Sequence, residues 1–243
     1  MPTPSHALEH LPPELLQRAK SIGVSLGAHA AQQKVLPFGF GPLSAEQGLL
    51  RGQVTELCVS PSGGLGTSLA LGACAQAQRM GQGFCSDNNA HWCAFIDPSG
   101  SLYAPGVVMR GVQLDRLLIV RPPLESLGQV ALKLARSKVF ALLVIDTCGV
   151  PGQVFELNLG AWVRIVRQMT LALEGSDASV LLITSETARR PVALPVARRI
   201  DLSRAKPDVL RSRIARDRFY QPESWRSLSH TVTRFDEPIR RAG

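Results

Sequence analysis

Gly63, Gly64, Gly66, Thr67 and Ser68 lie in one short stretch, SPSGGLGTSLAL, between an apolar run ending at Val59 and a segment with helical periodicity. A strand, a Gly/Ser loop and a helix N-terminus in that order make an anion cradle, because the loop amides and the first helical turn point N–H donors at one place. The phosphate-binding form of this loop needs a lysine just before the Thr/Ser hydroxyl, to reach the outer phosphates. Depending on where the loop is gapped, that position falls on Gly66 or Thr67, and neither carries a cation. Thr67 and Ser68 keep the hydroxyl, and Asp146 closes the run ALLVID, where a Mg²⁺-orienting carboxylate belongs. Two readings stay open: a nucleotide cradle without its main charge, or a tight strand-to-helix turn.

Other reactive residue types form no comparable set, and no catalytic residue is expected. Cys85, His91 and Cys93 are of the kinds that hold zinc, but their spacing matches no standard finger and no second Cys-x-x-Cys pair exists, so no metal is expected. Cys148 has no nucleophile-elbow pattern around it and is expected to fill space beside the core. His6, His10 and His230 fall in expected tails.

Charge is the other candidate for function. The formal net charge is +8, and residues 189–243, with 14 basic and 6 acidic side chains, hold the whole excess. Arginine dominates there: Arg189, Arg190, Arg198, Arg199, Arg204, Arg211, Arg213, Arg216 and Arg218 are the candidate partner- or DNA-binding residues. A planar guanidinium suits two-pronged contact with phosphate or carboxylate. The alternative is a solvated face with strand-edge charges, and aromatic residues for base stacking are few (Phe219, Tyr220, Trp225).

The elements that must position these residues follow a strand–helix alternation, the pattern of an α/β fold with a parallel sheet. Apolar runs predict strands at Val54–Val59, Trp92–Ile96, Leu117–Val120, Ala141–Ile145 and Val180–Thr184, with helices over Thr67–Gln78, Leu124–Arg136 and Leu159–Leu173. Two arginine-punctuated strands are expected at Arg199–Leu202 and Leu210–Ala215. Residues 1–43 read as an N-terminal appendage and linker, 44–222 as the core domain and 223–243 as a basic tail. With 45% hydrophobic and 19% charged residues the chain is globular rather than disordered. No apolar run approaches the roughly 20 residues of a membrane span, and MPTPSHALEH lacks a signal peptide's basic start and apolar centre. Five irregularly spaced cysteines suit reduced thiols. A cytoplasmic protein is expected.

The blocks GQVTELCVSPSGGLGTSLAL, CAFIDPSGSLYAP, GVQLDRLLIVRPP, ALKLARSKVFALLVIDT and IARDRFYQP, ordered between about Leu36 and Pro222, resemble the ATPase core of the RecA recombinase superfamily. Within it they are similar to the diverged ImuA-type (SulA-like) mutagenesis proteins. The resemblance implies a RecA-like P-loop NTPase core: a mostly parallel sheet flanked by helices, with antiparallel strands at the C-terminal side. Three departures bear on activity. The loop lysine is missing; Asp97 is followed by Pro98 and Ser99, where recombinases place a water-activating glutamate; and the chain after Asp146 and after Thr184 is short for two DNA-binding loops.

The implied function is that of a non-catalytic accessory protein in SOS mutagenesis and translesion synthesis. Its implied partners are the Y-family-like polymerase protein ImuB, the error-prone replicative polymerase and the RecA recombinase. Direct DNA contact and self-association stay open. No cofactor is expected beyond weak ATP–Mg²⁺ binding at the degenerate cradle. Two rivals remain: a DNA-dependent ATPase whose cation comes from Lys34 or a neighbouring subunit, and a SulA-like cell-division inhibitor that binds a tubulin-like GTPase.

Overall fold

Every residue of Val54–Val59 is buried, the pattern of a strand covered on both faces rather than one. The structure, a computed structural model, describes residues 35–39, 47–60, 65–80, 92–148, 159–188, 193–206, 209–218 and 225–229. In chain order its elements are β1 (Val35–Leu36), β2 (Leu49–Leu50), β3 (Val54–Val59), α1 (Gly66–Met80), β4 (Trp92–Ile96), α2 (Ala104–Met109), β5 (Leu117–Val120), α3 (Leu127–Ser137), β6 (Phe140–Asp146), α4 (Trp162–Leu173), β7 (Ser179–Ser185), β8 (Arg198–Lys206), β9 (Val209–Asp217) and β10 (Arg226–Ser229). Strands β1 and β2 form a small antiparallel pair.

The main sheet has eight strands in the order β10-β9-β8-β3-β7-β6-β4-β5. From β5 through β8 all neighbours are parallel, and β9 and β10 continue antiparallel. This is the expected α/β architecture, with antiparallel strands at the C-terminal side.

Each face of the sheet has its own core. On one, α1 lays Leu69, Ala70, Ala73, Cys74 and Ala77 against Leu57, Val59, Phe95, Leu181 and Ile183. Its alanines and glycines let the helix axis come close to the strands. On the other, α3 and α4 bring Leu127, Ala131, Trp162, Val166, Met169 and Leu173 onto Ala94, Ile96, Leu143, Ile145 and Leu182. The apolar stripe of α4 thus packs on the sheet, as its helical spacing predicts. Truncating a fully buried leucine such as Leu57 to alanine would cost about 2 to 5 kcal/mol.

The differences from expectation have local causes. Strand β8 runs from Arg198 to Lys206, well past the expected Leu202, because its pairing with β9 supplies hydrogen bonds beyond the apolar run. Helix α2 was not expected; Pro105 in its first turn starts it, although Val107 is its one buried residue. The compact unit begins at Val35, inside the stretch read as a linker, since β1 pairs with β2 and Phe38 is buried. Strand β10 pairs with β9 from within the expected tail, so the sheet extends past Pro222. The amphipathic stretch LEHLPPELLQRA and the polar insertion holding Cys85 and His91 lie outside the described residues. No helix among the described residues is long and apolar enough to cross a membrane.

Candidate functional site

Parallel strands put the carboxyl ends of β3, β6 and β7 side by side, and open α/β sheets bind ligands at that end. Gly63 and Gly64 of the expected cradle lie outside the described residues; Gly66, Thr67, Ser68 and Asp146 are all placed. Helix α1 begins at Gly66. Thr67 donates its hydroxyl hydrogen to Asp146 Oδ2 at 3.2 Å, and the Cys148 amide donates to Asp146 Oδ1 at 2.9 Å. The fold therefore joins the two residues that the sequence pairs by type, 79 positions apart. Ser68 is half-buried beside them, with no hydrogen bond to Asp146.

Burial pushes the Asp146 carboxyl above the ordinary carboxylate range; the Cys148 and Thr67 hydrogen bonds oppose that rise, and the charge of Asp97 adds to it. Among the described residues no cation enters this balance. One of the two candidate lysine positions bears on this. A Cβ built on Gly66 would lie 2.8 Å from Val59 Cγ2 and 3.2 Å from Ile183 Cγ2, so the start of α1 rests directly on the sheet. The residues fit a magnesium–nucleotide complex only in part: one hydroxyl and one carboxylate are in place, and a side chain at Gly66 would crowd Val59 and Ile183 from its first carbon.

Asp97, at the end of β4, is fully buried and belongs to a turn. Its Oδ1 accepts from the Ser99 hydroxyl (3.1 Å) and from the Ser101 amide (3.0 Å) and hydroxyl (3.2 Å), while Oδ2 accepts from the Leu102 amide (3.0 Å). Arg121 adds a looser ion pair at 3.5 Å. These bonds make Asp97 the tie that holds the loop, and the Ser99 side chain carries no basic group.

The arginine-rich hairpin divides its cations among different tasks. Arg198 is buried, and its ion pair to Asp217 (2.7 Å) and hydrogen bond to the Gly48 carbonyl (2.7 Å) make it a structural residue, which corrects its expected place at a partner surface. Arg199 and Arg213 both pair with Asp201, at 2.8 Å each. Arg199 also donates to Cys58 Sγ at 3.3 Å, and Arg213 stacks on Trp225, 4.6 Å from the ring centroid. For Arg199, burial works against the charge, but the Asp201 hydrogen bond and the neighbouring Cys58, Glu56 and Asp201 charges hold its pKa above the ordinary value. Arg204, Arg211, Arg216 and Arg218 are exposed; Arg189 and Arg190 lie outside the described residues.

Cys93 donates its thiol to the Cys74 carbonyl at 3.6 Å, inside the core. The hydrogen bond with Cys93 and burial push the Cys74 thiol well above its ordinary range, so Cys74 is not poised as a thiolate. Among the described residues no group of three or more His, Cys, Asp or Glu side chains is arranged to hold a metal. Sequence reasoning passed over Glu56. It is buried in β3 and accepts from the Thr184 hydroxyl at 2.7 Å. A carboxylate in the middle of the apolar run VTELCV was the available signal.

No family model matches the chain. Protein RecA of Thermus thermophilus is 28% identical over 180 residues, covering 68% of this chain and 50% of that protein. Protein RecA of Thermotoga petrophila is 29% identical over 150 residues, covering 57% of this chain and 39% of that protein. The chain therefore spans half, or less, of the length of the curated relatives it matches. The similarity, with the α/β fold, relates the chain to the RecA-like recombinase superfamily.

Proposed function

We propose that this relative of the RecA-like recombinase superfamily is a non-catalytic accessory protein of DNA-damage-induced mutagenesis, which docks on other proteins of translesion synthesis. One observation carries the reading: of the two positions where the loop lysine would fall, Gly66 is packed against Val59 and Ile183 and Thr67 carries a hydroxyl bonded to Asp146. The position of the second charge, the water-activating glutamate, is held by Ser99, which is bonded to Asp97. A hydrolytic site that lacks both its cation and its base has lost the groups that stabilise and generate the transition state. The preserved Thr67–Asp146 pair then acts as a structural tie between α1 and β6, with at most weak ATP–Mg²⁺ affinity.

The partners in this reading are those the ImuA-type resemblance implies: the Y-family-like polymerase protein ImuB, the error-prone replicative polymerase and the RecA recombinase. Exposed Arg204, Arg211, Arg216 and Arg218 supply the charged contact surface. Titration with labelled ATP and Mg²⁺, with and without single-stranded DNA, tests the catalytic side; no turnover is expected, and turnover would favour a DNA-dependent ATPase. Pull-down from DNA-damaged cells tests the partner side. Recovery of polymerase subunits is expected, and recovery of a tubulin-like division GTPase in their place would overturn the reading in favour of a SulA-like inhibitor.

A further inference from the structure

At the end of the sheet opposite Thr67 and Asp146, a cleft of about 300 Å³ opens between α4 and the base of the β8–β9 hairpin. Its lining combines Thr170 of α4, Gln53 ahead of β3, Val196 and Ala197 ahead of β8, and Arg216 and Arg218 at the end of β9. None of these was singled out for this position by the sequence, because they are far apart in the chain and meet only through the strand order.

The chemistry of the lining is specific. Asp217 also borders the cleft, but its carboxylate is tied to buried Arg198 at 2.7 Å, so the pair leaves the local charge to Arg216 and Arg218. Arg216 is oriented by one hydrogen bond, Nη1 to the Leu194 carbonyl at 3.2 Å, which leaves its other N–H groups available to a ligand. Arg218 has its backbone amide fixed to the Ala197 carbonyl at 2.8 Å and its side chain exposed. Gln53 Oε1 is buried and has no hydrogen-bond partner, an acceptor that lacks a donor. Val196 and Ala197 supply an apolar wall.

A ligand that satisfies all of this carries an anion for the guanidinium groups, an N–H for Gln53 and an aliphatic group for the wall. A peptide with an acidic side chain beside an aliphatic one has the three together, since every residue but proline brings an N–H. A nucleic-acid backbone offers the anion but no N–H, and the lining contains no aromatic ring for a base to stack on. The volume is at the small end of ligand pockets, enough for one or two side chains of a segment rather than a folded surface. We propose that this cleft is a docking site for an acidic, aliphatic segment of a partner protein. The inference rests on the docking role above for its biological use and on the cleft alone for its chemistry.

The test uses the full chain and a short fluorescein-labelled peptide alternating Glu and Leu, read by anisotropy. A Gln/Leu peptide serves as the neutral control and oligothymidylate as the competitor. Thr170→Phe fills the cleft without altering charge, and Arg218→Glu reverses charge at an exposed position where the fold is not at stake. Each is expected to weaken Glu/Leu peptide binding about tenfold, the scale of one charge-assisted hydrogen bond. The Gln/Leu peptide is expected to bind more weakly and oligothymidylate not to compete. Absence of saturable binding, affinity unchanged in both variants, or displacement by oligothymidylate would each overturn the proposal, the last by making nucleic acid the occupant. The two readings fail separately: ATP turnover would remove the non-catalytic role and leave the cleft standing, whereas a negative peptide result would remove the cleft and leave the ATP titration unaffected.

Discussion

Gly66 approaches Val59 so closely that a Cβ on the glycine would sit 2.8 Å from the valine's Cγ2. The contact does two things at once. It seats the first turn of α1 on the sheet, and it occupies the space through which a lysine side chain would leave the backbone.

Placing a lysine at Gly66 is therefore not expected to restore hydrolysis. Gly66→Lys is expected to destabilise the fold by about 1 to 3 kcal/mol, the range for overpacking, even though leaving glycine favours a helix by nearly 1 kcal/mol. Val59→Ala in the same chain relieves part of the clash. Urea denaturation checks the stability, and a phosphate-release assay checks that neither variant hydrolyses ATP. Turnover in the double variant would show that the base missing at Ser99 is supplied elsewhere.

Arg198 predicts the opposite of a surface arginine. Arg198→Met leaves Asp217 buried without its counter-charge and the Gly48 carbonyl without a donor, at an expected cost of about 3 to 5 kcal/mol. Arg198→Met with Asp217→Leu should recover most of that loss, because the burial penalty of the lone carboxylate disappears. A double-mutant cycle by chemical denaturation measures it, and an Arg198→Met variant as stable as the parent would contradict the buried pair.

Asp146 gives a pH dependence with a definite sign. Burial raises its folded pKa, so between the unfolded and folded values the native state binds the extra proton, and stability falls as pH rises through that window. The destabilising contribution is present in full above the folded pKa. Asp146→Asn, which can still accept from the Cys148 amide and donate to Thr67, is expected to be more stable than the parent at neutral pH. Its urea midpoint should also vary less with pH just above the ordinary carboxylate range. Lower stability at neutral pH in that variant would count against the burial cost.

Charge reversal belongs at exposed positions. Arg204→Glu with Arg211→Glu is expected to weaken nucleic-acid or acidic-partner binding and to flatten its salt dependence. For single-stranded DNA the log–log slope should drop by about 0.7 for each phosphate that the variant no longer neutralises. Binding measured across a salt series distinguishes this from a fold defect, since an unchanged slope would place the charged interface elsewhere.

The chain's own order of residues determined the parallel core, because strands covered on both faces must be apolar throughout, as Val54–Val59 and the run ending at Asp146 are. It also determined that the loop SPSGGLGTS carries no lysine, and the pairing by type of Thr67 with Asp146. It could not assign the arginines. Arg198 and Arg199 are adjacent, and strand alternation sends them to opposite faces, but which face is buried depends on the sheet's neighbours rather than on the local pattern. Tertiary structure alone put Arg198 inside with Asp217, joined Arg199 and Arg213 through Asp201, and brought Gln53, Thr170 and Arg216 around one cleft. The physical reason is that local periodicity records how often a side chain is buried, whereas charge pairing and cavities depend on which distant segments the strand order makes neighbours.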